Sequence, residues 1–553
     1  MEVSATSPRR ASDLLVSCLE AEGVRYVFGV PGEETVDLNE SIDRSSITFV
    51  PTRHEQAAAF MADAYGRLTG HAGVCLATLG PGATNLMTGV ADAFLDRSPV
   101  VVLTGQGDLE RMHKESHQFI DVVEVMRPIT KWNARVTDPA IVPEVVRKAF
   151  KVAEAEKPGA THIELPEDVM ATETGGEPLA RTSPATPDAS SQDVARAAEL
   201  IRKARRPIAL AGNGAVRGRA SKEVRAFARK SGIPVATTFM AKGLLEPDDP
   251  LALGAVGLQP GDYRLTGFDD ADLVVAIGYD LVEHAPRHWN PNKDKSIVCI
   301  DSVSAEIDEH FVPEVEVVGD VSGNLRRLTR KIEPARKPGG SSRLKDAVRE
   351  RLRRAKDDPE SPMQPPRVLY EIRRALGKRD ILVSDVGLHK LWIGRMYPAY
   401  EPDTVLISNG LAAMGFALPA AIAAKMVHPD RNVVAVSGDG GFLMNAQELE
   451  TAVRLRTAVV NVVWEDGGFG SITWKQERRF GRHFGTEFGN PDFVALAESF
   501  GIPAWRCETA SDFVKRLDEA LAMDVPSLIA VPIDYSPDVA IVGDQDALSP
   551  EDR

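Results

Sequence analysis

Two aspartates, each between a strand-like run and glycines, constrain the fold of this chain more than any other feature. The stretch Val436-Ser-Gly-Asp-Gly-Gly-Phe442 ends an apolar run, and Val462-Val-Trp-Glu-Asp-Gly-Gly-Phe-Gly470 repeats the pattern after a helical interval. A buried strand, a helix over 442–454 and a second buried strand form a βαβ unit with parallel strands. The motifs therefore predict a doubly wound α/β sheet, with Asp439 and Asp466 at the carboxyl ends of adjacent strands.

The residue types in these two loops suit a metal-bound diphosphate. Carboxylates are hard oxygen ligands of the kind that Mg²⁺ prefers. The glycines Gly438, Gly440 and Gly441 allow backbone N–H groups to approach a phosphate closely. A lone Gly-Asp-Gly is equally consistent with an ordinary turn, so the pairing with the second loop is what favours a site. We predict Mg²⁺ bridged to a diphosphate, with Asp439 and Asp466 as metal ligands.

Length and composition indicate a globular protein with several domains. The chain has 553 residues, of which 43% are hydrophobic and 26% charged, and a single core does not usually grow that large. Alternating strand and helix patterns predict α/β domains of the doubly wound, parallel-sheet class over 8–175, 193–334 and 367–540. Residues 335–366 are predicted as a linker and 541–553 as an acidic tail.

Charge and cysteine usage exclude several classes of function. The net charge of -15 argues against a nucleic-acid partner or an anionic membrane surface, because no basic stretch offsets it. The four cysteines lack Cys-x-x-Cys spacing and so indicate neither a zinc site nor a disulfide framework. The first residues lack the apolar core of a signal peptide, and no apolar run is long enough to span a membrane. We expect a cytoplasmic protein with no membrane association.

Two further segments have an ordinary structural interpretation on their own. The stretch from Arg53 to Arg67 predicts a helix with one apolar face and Glu55 in its first turn. An acid there needs no function, because it complements the helix dipole. In Asn409-Gly-Leu-Ala-Ala-Met-Gly-Phe-Ala-Leu-Pro419, periodicity alone makes Met414 a core residue.

Taken together, these motifs resemble those of thiamine diphosphate (ThDP) enzymes. The family's metal motif is Gly-Asp-Gly followed by an asparagine pair, and this chain has Glu465-Asp466 at the position of that pair. The segment starting His54-Glu-Gln matches the family's His-Glu motif, which implies that Glu55 hydrogen-bonds the pyrimidine ring of the cofactor. The resemblance also implies that Met414 is wedged between the two cofactor rings, and that the carbonyl of Ala412 faces the amino group.

The resemblance implies further contacts with ThDP and the metal. The carbonyl of Gly468 is expected to complete the metal site. His389 is expected at the diphosphate, with a satisfied surface histidine as the alternative. The expected cofactor-binding set is completed by Pro31, Gly387, Gly410, Gly438, Gly440, Gly441, Phe469 and Gly470.

Within the family, the resemblance is closest to acetolactate synthases and covers nearly the whole chain. It is carried by Val30-Pro-Gly32, Thr78-Leu-Gly-Pro-Gly-Ala-Thr-Asn85, Asp92-Ala-Phe, His117-Gln-Phe-Ile-Asp121, Arg127-Pro-Ile-Thr-Lys131 and Phe488-Gly-Asn-Pro-Asp-Phe493. The implied reaction condenses two pyruvates into 2-acetolactate with loss of CO₂. The resemblance also implies a homodimer or homotetramer, with Glu55 and the metal site on different subunits.

Residues that handle the substrate are less sharply indicated than those that hold the cofactor. Gln106 and Gln118 correspond to polar side chains that line the substrate pocket of relatives, and Lys131 is placed to attract carboxylates at its mouth. Each is equally consistent with a structural hydrogen bond or a solvated charge. Trp474 and Phe469 are candidates to shape the acceptor pocket, with core packing as the alternative for Phe469.

The middle domain decides between two kinds of acetolactate synthase. The stretch Gly278-Tyr-Asp-Leu-Val-Glu-His-Ala-Pro-Arg-His-Trp289 differs from the Arg-Phe-Asp-Asp-type segment of the anabolic, FAD-binding kind. It resembles the catabolic kind, which implies neither FAD nor an obligatory regulatory subunit. A nicotinamide enzyme is disfavoured because Gly212-Asn-Gly214 is followed by Arg217 instead of the third glycine of the dinucleotide motif. The remaining alternatives are another ThDP-dependent decarboxylase or carboligase and a silent ThDP-binding scaffold.

Overall fold

The computed structural model describes residues 9–182, 186–259, 261–334, 342–359 and 361–536. The predicted acidic tail lies outside the described residues, as do 335–341 and 360 of the predicted linker. Within the described ranges, no helix combines the length and apolar character needed to cross a membrane. All four cysteines are buried as free thiols.

The first third of the chain forms a six-stranded parallel sheet of order β3-β2-β4-β5-β7-β6, accompanied by a short antiparallel pair, β1 with β8. Strands β4 and β5 are buried along their whole length, as expected for central strands covered on both faces. The elements are β1 (Arg9–Arg10), α1 (Ala11–Glu22), β2 (Tyr26–Gly29), α2 (Val36–Asp43), β3 (Thr48–Pro51), α3 (Glu55–Thr69), β4 (Gly73–Ala77), α4 (Pro81–Leu95), β5 (Val100–Gln106), α5 (Val122–Met126), β6 (Trp132–Arg135), α6 (Val142–Glu154), β7 (Ala160–Pro166), α7 (Glu167–Ala171) and β8 (Glu173–Thr174).

The middle of the chain forms a second six-stranded parallel sheet, of order β11-β10-β9-β12-β13-β14. The order reverses beside β9, which is the doubly wound arrangement with a crevice between β9 and β12. The elements are α8 (Ser191–Lys203), β9 (Pro207–Ala211), α9 (Asn213–Arg217), α10 (Ser221–Ser231), β10 (Val235–Thr237), β11 (Ala252–Ala255), α11 (Gly261–Thr266), β12 (Leu273–Ile277), β13 (Ser296–Asp301), β14 (Val315–Val318), α12 (Val321–Lys331) and α13 (Arg343–Ala355).

The last third forms a third parallel sheet, of order β16-β15-β17-β18-β20-β19. The predicted fold class, three doubly wound α/β domains, is therefore confirmed, while the domain boundaries stay predictions. The elements are α14 (Pro365–Ala375), β15 (Ile381–Ser384), α15 (Leu388–Met396), β16 (Val405–Ile407), α16 (Ala417–Val427), β17 (Val433–Gly438), α17 (Asp439–Phe442), α18 (Glu448–Arg454), β18 (Val459–Glu465), α19 (Gly470–Phe480), α20 (Phe493–Ser499), β19 (Ala504–Arg506), α21 (Ala510–Leu521) and β20 (Ser527–Pro532).

By its internal contacts the chain divides into two compact units. The first comprises Met1–Ala185, Gly410–Pro429 and Asn445–Thr457, so helices α16 and α18 belong with the first sheet. The second comprises Thr186–Asn409, Asp430–Met444 and Ala458–Arg553, with the other two sheets.

The helix predicted over 442–454 is wrong in detail, because α17 ends at Phe442 and a separate helix, α18, begins only at Glu448. The break includes Asn445, whose side-chain Nδ2 donates to the carbonyl oxygen of Gly415 at 2.8 Å. An asparagine that bonds a distant backbone group favours an interruption over a continuous helix. Helix α17 starts at Asp439 itself, so the glycine turn and the helix N-terminus coincide.

Candidate active site

The two predicted metal ligands lie at neighbouring strand ends. Strands β17 and β18 pair in parallel from Val433↔Val459 to Gly438↔Trp464, and Asp439 and Asp466 each follow directly. The Asp439 Oδ2 atom accepts hydrogen bonds from the backbone N–H groups of Asp466 (3.1 Å) and Gly467 (2.7 Å). The βαβ argument therefore placed these residues correctly.

A third residue, Asn490, belongs to this cluster and was not predicted as a site residue. Its side-chain Nδ2 donates to Asp439 Oδ2 at 2.8 Å. It lies within the stretch 488–493, which supported the family resemblance, but nothing in its local pattern assigned it a role. Asn490 lies in the loop between α19 and α20, and its contact with Asp439 depends on the folded path of that loop.

The electrostatics of this cluster fit a bound cation. Burial and the neighbouring Asp439 carboxylate raise the pKa of Asp466 to about 7. Asp439 is buried and Asp466 lies at the surface beside it, and a divalent cation relieves the repulsion between the two neighbouring carboxylates. Among the described residues there is no group of three or more His, Cys, Asp or Glu placed to hold a metal, so neutral oxygens would complete the ligand set. The donor set therefore fits Mg²⁺, for which Asp439 and Asp466 supply the charge.

The glycines around Asp439 and Asp466 lie close to neighbouring side chains. A Cβ atom on Gly441 would lie 2.9 Å from Asp385 Oδ1, and one on Gly470 would lie 2.7 Å from Asp466 Oδ2. A Cβ on Gly440 would lie 3.0 Å from a ring atom of Phe488 and 3.1 Å from one of Phe469. These close contacts favour glycine at the three positions, and glycine allows backbone N–H groups to come near a phosphate.

His389 is buried beside the same turn, so the alternative of a satisfied surface histidine is wrong. Burial lowers its pKa to about 4, and the ring is therefore neutral near pH 7. Its Nε2 atom is buried and has no hydrogen-bond partner among the described residues. Cβ atoms on Gly387 and Gly438 would lie 2.7 and 3.2 Å from this ring, so both glycines make space for it. An orphaned donor or acceptor at this place fits a polar ligand such as a diphosphate.

Phe469 is only partly buried, with 37% of its surface exposed, so core packing does not account for it. Its ring meets Phe488 edge-on, with 4.9 Å between centroids. Gly468 pairs with Glu487 in an isolated antiparallel bridge, so the loop before α19 is anchored. Trp474 lies on α19, where the Arg478 guanidinium stacks over its ring at 4.9 Å.

Glu55 lies in the first unit as the first residue of helix α3. His54 caps this helix, its Nδ1 accepting from the Gln56 backbone N–H at 3.1 Å. The Glu55 carboxylate is buried, and its Oε2 accepts from Asn85 Nδ2 at 2.9 Å. Interaction with the helix dipole needs no burial. It therefore does not explain why the Glu55 carboxylate is buried and bonded to an amide on the neighbouring helix α4.

Glu448 on α18 also organises this helix start and was missed from sequence. Its Oε1 accepts from the backbone N–H groups of Arg53 (3.0 Å) and His54 (3.1 Å), and its Oε2 from the Thr451 hydroxyl (2.6 Å). Because 394 residues separate Glu448 from His54, no local pattern could reveal the contact.

The segment that contains Met414 lies in the first unit with Glu55. Ala412 has φ +57°, a left-handed conformation that residues other than glycine rarely adopt. The carbonyl of Met414 lies 3.5 Å from Gln56 Nε2, and the Gly410 N–H donates to Asp96 Oδ1 at 2.5 Å. Strained backbone that is fixed from both sides is typical of functional segments. Met414 itself is partly exposed and thus accessible to a ligand.

A cluster of ion pairs around Arg67 supports this segment. Arg67 on α3 is buried and contacts Asp63 at 2.7 Å and Asp96 at 2.8 Å. Its guanidinium lies 5.1 Å from the centre of the Phe416 ring, which meets Phe60 edge-on at 5.5 Å. Asp96 therefore links the ion cluster to Gly410.

Two of the predicted substrate residues have structural partners. Gln106 is fully buried, and its Nε2 donates to Glu164 Oε2 at 2.9 Å and to the carbonyl of Ile120 at 3.1 Å. The Nζ of Lys131 donates to the carbonyls of Val152 and Ala155, at 2.6 Å each, by the end of α6. These contacts correspond to the structural alternative, and the predicted substrate roles stay predictions without support from them.

Gln118 and Pro31 are both exposed. Gln118 has φ +58°, and its backbone oxygen would lie 2.7 Å from a Cβ on Gly80. The loop that carries Gln118 therefore packs on the glycine turn before α4. Pro31 follows β2, and a Cβ on the next residue, Gly32, would clash with Thr78 at 2.3 Å.

Comparison with known protein families identifies all three domains. Residues 9–125 match the N-terminal and 385–531 the C-terminal TPP binding domain of thiamine pyrophosphate enzymes, and 194–328 match the central domain. The chain belongs to the thiamine pyrophosphate enzyme family. In this family ThDP is the cofactor, so the predicted recognition is confirmed.

Relatives within the family match almost end to end. The acetolactate synthase of Bacillus subtilis is 37% identical over 549 residues, which cover 97% of this chain and 95% of the relative. The catabolic acetolactate synthase of Raoultella terrigena is 37% identical, covering 96% of each chain. The acetolactate synthase isozyme 1 large subunit of Escherichia coli is 31% identical, covering 96% of this chain and 95% of the relative.

Proposed function

We propose that this protein is an acetolactate synthase, which uses ThDP and Mg²⁺ to condense two pyruvates into 2-acetolactate with release of CO₂. The observation that carries the proposal is the buried Glu55 at the start of α3, in a chain that matches acetolactate synthases over 97% of its length. A silent scaffold is disfavoured, because burying an acid without a role costs free energy that a scaffold need not spend.

Loss of CO₂ from a 2-keto acid leaves an acyl carbanion equivalent, and bound ThDP supplies the electron sink that no side chain provides. Glu55 would hold a proton between its carboxylate and the pyrimidine ring of the cofactor, and that ring would supply a base. Asn85 keeps the Glu55 carboxylate oriented through the bond to Oε2. Met414 and the carbonyl of Ala412 orient the cofactor rings.

The diphosphate end is assigned to the second unit. Asp439 and Asp466 hold Mg²⁺, together with the carbonyl of Gly468. The neutral imidazole of His389 donates or accepts through the Nε2 atom that lacks a protein partner. An aspartate in place of the family's asparagine still offers Mg²⁺ an oxygen ligand and adds one negative charge.

We propose further that the protein uses no FAD. The loops after β9 and β12 pack closely on each other at the crevice where a doubly wound sheet binds a dinucleotide. The Glu283 carboxylate accepts from the Asn213 N–H at 3.0 Å, and a Cβ on Gly214 would lie 2.8 Å from the Gly278 Cα. A dinucleotide phosphate would have to displace this buried acid.

The remaining parts of the proposal follow from the family resemblance. A homodimer is the smallest competent unit, since the family places Glu55 and the metal site on different subunits, and a homotetramer is compatible with it. A regulatory small subunit is not favoured, and a cytoplasmic location is expected. Gel filtration with light scattering distinguishes monomer, dimer and tetramer.

The test is a survey of 2-keto acids with purified protein, ThDP and Mg²⁺. We expect pyruvate to be consumed fastest, with acetolactate as product. Turnover of another 2-keto acid without pyruvate consumption would overturn the substrate assignment and leave the cofactor assignment standing. A flavin absorption band in stoichiometric amount after release of bound cofactors would overturn the FAD assignment.

A further inference from the structure

A cavity of about 170 Å³ lies in the second unit, apart from the residues assigned to ThDP and Mg²⁺. Its walls come from β11 at the edge of the middle sheet, from the neighbouring strand β10, from helix α13, and from residues 395–400 at the end of α15 and just after it. The structure thus places a small chamber where the middle and last sheets of this unit meet.

Two lysines in the wall form no direct ion pair with a described residue. The Nζ of Lys242 donates to the carbonyl of Gly394 at 2.9 Å, and the Nζ of Lys345 to the carbonyl of Asp249 at 2.5 Å. No carboxylate of a described residue lies within 4.0 Å of either Nζ. Burial lowers the pKa of Lys242 to about 8, because the charged form of the side chain loses part of its hydration.

The other charged groups of the wall are already paired. Arg349 contacts Asp248 at 3.0 Å, and Arg395 forms a buried ion pair with Asp262. The uncompensated charge of the wall is therefore positive and belongs to Lys242, because Asp248, Asp249 and Asp346 offset the charge of Lys345. Buried charges in proteins are usually paired, so this arrangement favours an anionic ligand.

The size and the remaining lining restrict the ligand further. A cavity of about 150 Å³ accommodates a benzene molecule, so this one accepts roughly six non-hydrogen atoms. The rest of the wall includes Val348, Tyr397 and Tyr400, which offer apolar and aromatic surface to a short carbon chain. Inorganic phosphate would leave that surface uncovered.

We propose that this cavity is a second small-molecule site, which binds a monocarboxylate of about six non-hydrogen atoms with its carboxylate on Nζ of Lys242. The carbon chain lies against Val348 and Tyr397. Pyruvate, with three carbons and three oxygens, has this charge and size and is the substrate if the proposed function holds. Only this last step rests on that function; the site itself does not.

The probe is isobutyrate, a branched acid with six non-hydrogen atoms and no keto group to react. Its binding to full-length protein, loaded with ThDP and Mg²⁺, is measured by ligand-observed NMR. We expect one saturable site per chain with a dissociation constant on the order of 1 mM, an affinity that so few atoms can supply. The neutral isostere isobutyramide should bind at least about tenfold more weakly, because it lacks the charge.

Lys242→Met should weaken isobutyrate binding by about tenfold or more. Lys230→Met is the matched control, since Lys230 also donates only to backbone carbonyls, at 2.8 and 3.4 Å, but does not line the cavity. It should change the affinity less than about twofold. Val348→Phe fills the chamber from α13 and should abolish binding with both wall lysines intact, which guards against a folding defect in Lys242→Met.

Three results would overturn the proposal. The first is the absence of saturable isobutyrate binding. The second is equal affinity for isobutyrate and isobutyramide. The third is unchanged affinity in Lys242→Met and Val348→Phe, which would place the probe at the ThDP site or elsewhere. None of these results bears on acetolactate formation, so failure here is distinguishable from failure of the proposed function.

Discussion

Replacement of Glu448 by alanine is expected to loosen the start of helix α3, where Glu55 lies. The Glu448 Oε1 atom accepts from the backbone N–H groups of Arg53 and His54, the two residues before Glu55. Alanine leaves both donors without their acceptor, at about 1 kcal/mol each. We therefore expect the free energy of unfolding to fall by about 2 kcal/mol.

The effect on catalysis should exceed that on stability, because Glu55 must meet the cofactor with little positional error. A misplacement of about 1 Å costs on the order of 100-fold in rate. We expect kcat of Glu448→Ala to fall at least about tenfold, measured with pyruvate at saturating ThDP and Mg²⁺. Chemical denaturation of the same samples gives the change in stability.

Glu448→Gln should rescue both properties. A glutamine oxygen at the Oε1 position accepts from both N–H groups, and its amide nitrogen can donate to the Thr451 hydroxyl. Burial raises the pKa of Glu448, so a neutral acceptor at this position has a smaller desolvation cost than the carboxylate. Glu450→Ala is the control on the same helix, where the side chain contacts Arg454 at 3.0 Å. A stability loss in Glu448→Ala with unchanged kcat would refute the positioning role.

Two further predictions concern the metal site and the response to acid. Asp466→Ala should weaken Mg²⁺ and ThDP binding together, as measured by titration of each; unaltered ThDP affinity would exclude the ligand role. Burial lowers the pKa of His162 to about 3, whereas the side chain of the unfolded protein titrates at about 6.5. As the pH falls below 6.5 the unfolded state therefore binds a proton first, and the folded state loses stability until the pH approaches 3. From pH 7 to 5 the loss is about 2 kcal/mol. His162→Gln should show that much less acid destabilisation, and an identical pH dependence would contradict the assignment.

The sequence predicted those parts of the site that depend on strand order. Asp439 and Asp466 follow adjacent parallel strands because each ends an apolar run, and a βαβ unit leaves little choice for their placement. Glycines occupy the positions around them where a Cβ would come close to a neighbouring side chain, and a glycine-rich loop in the sequence indicates such positions. The family motif added Glu55 and Met414, which periodicity alone assigned to a helix dipole and a core.

The parts that sequence could not predict depend on long-range packing. The burial of His389 and its unpartnered Nε2 result from how α15 packs, and no local pattern distinguishes it from a surface histidine. Asn490 reaches Asp439, and Glu448 reaches the start of α3, from segments distant in sequence. Gln106 and Lys131 show the converse, since their polar groups are engaged by Glu164 and by helix α6 through contacts made only in the folded chain.

The central claim is tested most directly by the stoichiometry of the reaction with pyruvate. Purified protein with ThDP and Mg²⁺ should consume two pyruvates for each CO₂ released and form one 2-acetolactate, and Glu55→Gln should lose this turnover while it keeps ThDP binding. One CO₂ per pyruvate with acetaldehyde as product would identify a simple decarboxylase. No consumption of pyruvate by protein loaded with ThDP and Mg²⁺ would contradict the account.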